Sequence, residues 1–378
     1  MNFQKYIILF CIILLSGFHC SSQINESNYI QDTKIYSDDI NKLFLQIDNT
    51  NFIKNNEYTS TVIEGYTLLG FNIAPKFIYY PSSRIKISFG GNFLTYNGRE
   101  NKLEACLLLS FQYKISPKFD FILGNIYGTV NHRLIDPLFD SERFLNQNIE
   151  NGLQFLWNSD RIFMDLWLDW EQQIFRNDPF HEKFNVGLSS EFLIINKENR
   201  YKLSMPFQNL VRHEGGQIDS YAKPIVTIFN NATGLSFTKF YKNKFIHKFK
   251  ISSFIVNYQD LSPLTERMYI DGTSSYSNLE LINSNYNLTL GYWYGNQHIA
   301  PIGNPIYETY SRTNIFVEEP IRQLIIGKLN YQKDVFNGIN LGLRFDTYYD
   351  LLSSNLDYSW TVMVVFNHRF FLKDINLK

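Results

Sequence analysis

The stretch that most narrows what this chain can become is LDYSWTVMVVFNHRFF, residues 356–371. A β-strand turns successive side chains to opposite sides of its sheet. One file, Tyr358, Trp360, Val362, Val364, Phe366, His368 and Phe370, is apolar except at His368 and has aromatics at both ends. The other, Ser359, Thr361, Met363, Val365, Asn367 and Arg369, is mixed. An apolar face with rings at each end suits a strand that crosses a bilayer, where rings settle at the interfaces.

The same two-residue period predicts strands over 43–54, 66–80, 84–96, 103–114, 119–127, 151–157, 161–171 and 183–195. It predicts further strands over 201–208, 222–238, 244–256, 275–282, 286–294, 321–332 and 339–349. Clusters of Asn, Asp, Gly, Ser and Pro separate them, which is turn chemistry. Connections after Tyr80, Lys114, Trp157, Ile195, Thr238, Ile282 and Gln332 are short, and those after Tyr127, Glu171, Gln208, Val256 and Tyr294 are long. Short turns alternating with long loops mark an antiparallel transmembrane β-barrel, with the short turns in the periplasm. The expected fold is therefore all-β: a closed barrel of about 16 strands, or 14 if 43–54 is not one. Pro75 and Pro224 fall in or near predicted strands, where proline removes a ladder donor.

The chain begins with Lys5, an apolar run from Tyr6 to Leu15, and small residues up to Gln23. That is the layout of a secretory signal peptide, too short to span a bilayer as a helix. Residues 1–22 are read as the signal peptide, 23–41 as a periplasmic lead-in, 42–371 as the barrel and 372–378 as a tail. Acylation of Cys20 is the competing reading, disfavoured by Phe18 and His19 beside the processing site. With Cys11 and Cys20 in the leader, Cys106 is left alone, so neither a disulfide nor a cysteine metal site can form within the exported chain. A net charge of −1 gives no electrostatic case for nucleic acid. Aromatics at 17% with no second long apolar run fit strands that are apolar only at every other residue.

The segment 161–171 carries the clearest functional signal. Ile162, Met164, Leu166, Leu168 and Trp170 form a lipid-type face, against Arg161, Phe163, Asp165, Trp167, Asp169 and Glu171. Three acids on one file cannot face lipid, so they face the lumen, either hydrating it or binding a polar solute against the rings. Lys248, Lys250, Lys328, and Arg344 beside Asp346 are candidate cationic partners, and opposed charge ladders can set a transverse field in a pore. The loop 128–150 mixes His132, Arg133, Asp136, Asp140, Glu142 and Arg143 with Leu134, Ile135, Leu138, Phe139 and Phe144. A long loop with its own apolar side chains usually folds on something, and it is expected to fold inward over the barrel mouth as a constriction or plug, with a simple outer lid as the alternative. The pairs His181-Glu182 and His213-Glu214 head or end other long loops; without H-E-x-x-H they are read as loop polarity, and no metal or cofactor is expected.

The run GYTLLGFNIAPKFIYYPSSRIKISFGG, 65–91, with the terminal Phe370-Phe371 and the Ser-Ser-Gln leader end, resembles porin-like outer-membrane barrels of the Bacteroidota. That resemblance implies an outer-membrane location among lipid and lipopolysaccharide, handling by the barrel assembly machinery, and passage of a small polar or saccharide-like solute. A plugged barrel with a binding or structural role is the alternative. Outer-membrane phospholipase and lipid A deacylase families carry His and Ser two residues apart on one outward strand face. Beyond the leader no His is followed by Ser at that spacing, so a lipid-modifying barrel enzyme is kept only as a third alternative and the protein is expected not to be an enzyme.

Overall fold

A computed structural model describes residues 31–100, 103–242, 245–264, 267–314 and 317–375. The signal peptide expected over 1–22, with Cys20, lies outside the described residues, as do 23–30 of the lead-in and 376–378 of the tail.

The strands are β1 (Lys42–Glu57), β2 (Tyr66–Ser82), β3 (Ile85–Tyr96), β4 (Glu104–Ser116), β5 (Phe119–Asn125), β6 (Asn151–Asn158), β7 (Ile162–Gln172) and β8 (Lys183–Lys197). They continue as β9 (Tyr201–Glu214), β10 (Val226–Phe240), β11 (Lys248–Asp260), β12 (Asp271–Ile282), β13 (Tyr286–Asn296), β14 (Ile321–Phe336), β15 (Ile339–Asp350) and β16 (Leu356–Asp374). Each pairs antiparallel with the next, and β16 closes on β1 from Lys42↔Asp374 to Glu57↔Tyr358. Closure leaves neither terminal strand with an open edge, as a strand in lipid requires. No helix among the described residues is long and apolar enough to cross a membrane.

The period-two faces separate as their chemistry demands. On β16, Tyr358, Val362, Val364 and Phe370 are exposed, whereas Asp357, Ser359, Thr361, Met363 and Val365 are buried. On β4, Leu107 and Leu109 are exposed, and Leu108 between them is 3% exposed. Each such leucine gains roughly 1.5–3 kcal/mol when taken out of water; here the bilayer, not a core, supplies the apolar surroundings.

The lumen-facing file is buried because the barrel is filled. From the short-turn end comes the lead-in, whose Thr33 carbonyl accepts from Gln112 and whose Ile35 packs on Phe44, Ile78 and Tyr80. From the long-loop end come two segments, 126–150 between β5 and β6 and 297–311 between β13 and β14. They meet where the Asp140 amide donates to the Ile302 carbonyl (2.8 Å) and the Asn304 amide to the Asp136 carbonyl (3.0 Å). Leu138, Ile306 and Tyr307 pack with Trp293, Leu324 and Tyr348 of the wall.

Some boundaries differ from the sequence reading for local reasons. The expected strand 119–127 stops at Asn125 because Gly124 takes a φ of +96°, and Ile126 and Tyr127 turn inward to become buried. The strand expected over 201–208 continues to Glu214, so Arg212, His213 and Glu214 belong to β9 and not to a loop. Pro75 lies within β2; the β2–β3 ladder lapses at Ala74 and Pro75, while Pro75 still faces Ile47 of β1. Pro224 precedes β10.

Candidate functional site

The inward segment is pinned by His132, which is fully buried at the end of a 3-10 turn over Thr129–His132. Its Nδ1 lies 2.7 Å from Asp165 Oδ2 and its Nε2 lies 2.9 Å from Glu150 Oε2. Donating to two carboxylates requires hydrogen on both ring nitrogens, so the ring is an imidazolium between two acids. The remaining lone pairs are also used. Gln154 donates to Asp165 Oδ1 at 2.9 Å, and the Thr129 amide donates to Glu150 Oε1 at 2.7 Å. The imidazolium stacks on the Trp167 indole, 3.6 Å between centroids and 10° between planes. Gly187 leaves room for that indole: a Cβ there would stand 2.0 Å from Trp167 Cζ2.

The other charges of the segment also meet the wall. Asp136 is paired with Lys328 of β14 and lies 3.9 Å from Arg344 of β15. Arg344 binds Asp346 at 2.7 Å and donates to Ser141 Oγ at 3.0 Å. Asp140 accepts from the Glu142 amide at 2.9 Å, and Glu142 bonds Lys54 at 2.5 Å and also Tyr66. Arg133 lays its guanidinium 3.7 Å from the centroid of the Phe163 ring. Arg143 bonds Glu171 at 3.2 Å, and Arg212 binds the other oxygen of that carboxylate. Asp169 accepts from the Asn151 amide at 3.0 Å.

Three of the candidate lining residues are not brought together with these. Arg161 sits exposed in the short turn before β7. Lys248 and Lys250 lie at the short-turn end of β11, and Lys250 pairs with Glu280 of β12 at 2.9 Å. The cations that meet Glu171 come instead from Arg143 and Arg212. Sequence reasoning also missed Glu150, Gln154 and Lys54, and the whole inward segment 297–311. Ile299, Ala300, Ile302, Ile306 and Tyr307 in a long connection carried the same signal that was read in 128–150.

A second cluster lies at the long-loop end. His181, in the β7–β8 connection, bonds Asp219 of the β9–β10 connection through Nδ1. The imidazole is almost wholly buried and meets Tyr221 edge-on at 5.0 Å. Its Nε2 is buried with no hydrogen-bond partner among the described residues. Burial raises the Asp219 carboxyl, but hydrogen bonds from His181 and the Tyr221 amide outweigh it and hold the group below its ordinary value. The loop histidine read as mere polarity is thus held by a carboxylate. Its partner is 38 residues away and not the adjacent Glu182. Among the described residues no group of three or more His, Cys, Asp and Glu has the arrangement of a metal site.

In fold the chain is similar to the outer membrane protein OprD from Pseudomonas aeruginosa, at a TM-score of 0.53 and 8% identity, over 92% of this chain and 98% of that one. It is similar to OccK9 (OpdG) of the same organism at 0.51 and 8% identity, over 88% of this chain and 100% of that one. These are likenesses of architecture: a porin-type outer-membrane barrel. No curated protein sequence matches the chain. A family model described as Lipid A 3'-O-deacylase-type matches residues 35–375, from the lead-in to the end of β16. The expectation of a non-enzymatic barrel is thereby overturned. The missing His-x-Ser pair had excluded one arrangement of catalytic residues and not enzymatic activity as such. The chain belongs to the lipid A 3'-O-deacylase-type family.

Proposed function

We propose that the protein is an outer-membrane hydrolase that removes an ester-linked acyl chain from lipid A or a closely related glycolipid. The observation that carries this reading is the His181–Asp219 pair at the long-loop end. With short turns in the periplasm, that end faces the leaflet in which such lipids lie. Asp219 accepts the Nδ1 hydrogen and so keeps Nε2 as the basic nitrogen, the role an orienting carboxylate plays behind a catalytic histidine. Nε2 then takes a proton from water as its oxygen attacks the ester carbonyl. The carbon–oxygen bond to the sugar breaks, the sugar oxygen leaves with that proton, and a free fatty acid is the other product. The decisive experiment is mass spectrometry of lipid A from cells producing the wild type, His181→Gln or Asp219→Asn. Loss of a general base lowers such a rate by about 10²–10⁴-fold. A His181→Gln variant that deacylates at the wild-type rate would sink the assignment.

A second reading, passage of a small polar solute, is favoured by the charges that meet inside the barrel: Asp136 with Lys328, Arg344 with Asp346, and Asp165 with His132. Opposed charges of this kind serve as selectivity elements in pores. Planar-bilayer recording separates the readings. Currents through the wild type that change with Asp136→Asn favour passage. A silent wild type that conducts only after deletion of 133–144 favours a plug.

A further inference from the structure

The wall of the barrel is notched on one side. A membrane-crossing strand needs about 9–11 residues; β5 has 7 and β6 has 8. Their outer neighbours β4 and β7 have 13 and 11. Pairing of β4 with β5 begins only at Ser110↔Gly124, and pairing of β6 with β7 ends at Gly152↔Asp169. Above those pairs, Glu104–Leu109 on one side and Trp170–Gln172 on the other have no strand between them. At about 3.3 Å per residue and a tilt near 40°, β5 rises about 15–18 Å from the short-turn end, while the apolar band of such barrels is about 25 Å tall. The notch therefore opens within the outer half of the bilayer.

What lies behind it is polar. A cavity of about 340 Å³ is lined chiefly by Asn92, Glu104, Arg143, Asn148, Asp169 and Glu171, with Leu94 and Ile149 among its apolar members and Cys106 and Trp170 at its sides. Arg143 bonds Glu171 and Gln147, yet its Nε is buried with no partner among the described residues. Cys106 belongs by alternation to the inward file of β4, where Leu108 and Gln112 are buried, but it is exposed. The flanking outward side chains Leu107, Leu109 and Trp170 are exposed and apolar.

We infer that this notch is a lateral portal, where a glycolipid of the outer leaflet places its sugar in the cavity and leaves its acyl chains against the outer wall. Amides, carboxylates and a guanidinium with an unpartnered N–H are the groups that bind a hydroxyl- and amide-bearing sugar ring. Three carboxylates, Glu104, Asp169 and Glu171, against one guanidinium disfavour a bare anionic headgroup. The β7–β8 connection that carries His181 leaves the wall on the same side: Lys183, two residues after His181, pairs with Gln172, the neighbour of Glu171. The identity of the occupant rests on the hydrolase reading; the position of the portal rests on the wall alone.

Cys106 provides the test, in full-length protein in phosphatidylethanolamine nanodiscs containing lipid A. Bound lipid is read by native mass spectrometry before and after reaction with a bulky maleimide. Labelling should lower retained lipid A at least fivefold, and Cys106→Ser treated alike should keep it. Asn148→Trp, with heat-modifiable gel migration to confirm a folded barrel, should act like the label. Equal retention with and without label, or retention of phosphatidylethanolamine in place of lipid A, overturns the portal. Retention that falls on labelling in a protein that never deacylates leaves the portal standing and removes the hydrolase reading.

Discussion

Replacing His132 with alanine tests whether the inward segment is held by charge. In the wild type, Asp165 and Glu150 are 0% and 1% exposed and share one imidazolium. Without it, both carboxylates stay buried with only amide and backbone donors. Stripping one member from a buried ion pair costs about 3–5 kcal/mol, and the stacked ring on Trp167 contributes about 0.5–1.5 kcal/mol more. A carboxyl that takes up a proton escapes part of that cost, so the lower figure is the better guide. At about 1.4 kcal/mol per factor of ten, 3 kcal/mol raises the fraction of opened segment about a hundredfold. Hydrogen exchange of amides in 128–150, in detergent micelles at neutral pH, measures that fraction directly. His132→Ala with Asp165→Asn removes a second charge and should recover part of the protection. Exchange within threefold of wild type in the single variant would show that the segment is held by apolar packing alone.

Gly187→Ala sets a Cβ 2.0 Å from Trp167 Cζ2, so the indole must leave its stack; the variant should show altered tryptophan fluorescence and a lower unfolding midpoint in urea. Arg322→Met strands Asp350 and the carbonyls of Ile306 and Glu308, which the guanidinium holds at 3.1, 2.8 and 3.0 Å. A loss of about 3–5 kcal/mol follows, and protease cleavage within 297–311 should appear while the barrel still migrates as folded. Asp219 carries a depressed pKa, so the stabilisation from its pair is present above the unfolded value and is lost as pH falls through the folded one. Ring resonances of His181 should report the contact intact down to about pH 4, the ordinary carboxylate value, and broken only in stronger acid.

The barrel was legible because it is written in a local code. A two-residue period survives any uncertainty about tertiary contacts, and loop length alone gave the alternation that makes the strand number even. Even 43–54, the weakest period, is a full strand, because closure with β16 supplies the pairing its own sequence only hints at. The site was legible in part. Asp165, Trp167 and Asp169 stood out because charge on an inward file has to be explained, and the apolar side chains of 128–150 announced a loop that folds. Which charges meet was not legible. Glu150 reaches His132 across 18 residues and Asp219 reaches His181 across 38, separations set by where neighbouring loops emerge from the sheet. Lys248 and Lys250 lie at the short-turn end of β11, where Lys250 pairs with Glu280: the correct face gives no information about height or azimuth in the barrel.

One backbone choice joins the filled lumen to the open wall. At Gly124 the chain has a φ of +96°, and a Cβ there would lie 2.2 Å from the Leu109 carbonyl. A residue with a side chain would meet strain in that conformation and would have to push β4 away. Glycine lets β5 leave the sheet where its neighbours continue. The next residues, Ile126 and Tyr127, are buried in the interior, and Asn151 starts β6 at the same level, where its amide is held by Asp169. Chain that would have completed two strands supplies the segment that carries His132, Asp136 and Arg143 instead. A wall with full-length β5 and β6 would close the portal and take from the lumen the residues that fill it, so the two features stand or fall together. A lateral opening in the wall and a lumen occupied by the segment 126–150 are, in this barrel, consequences of the same departure from the sheet.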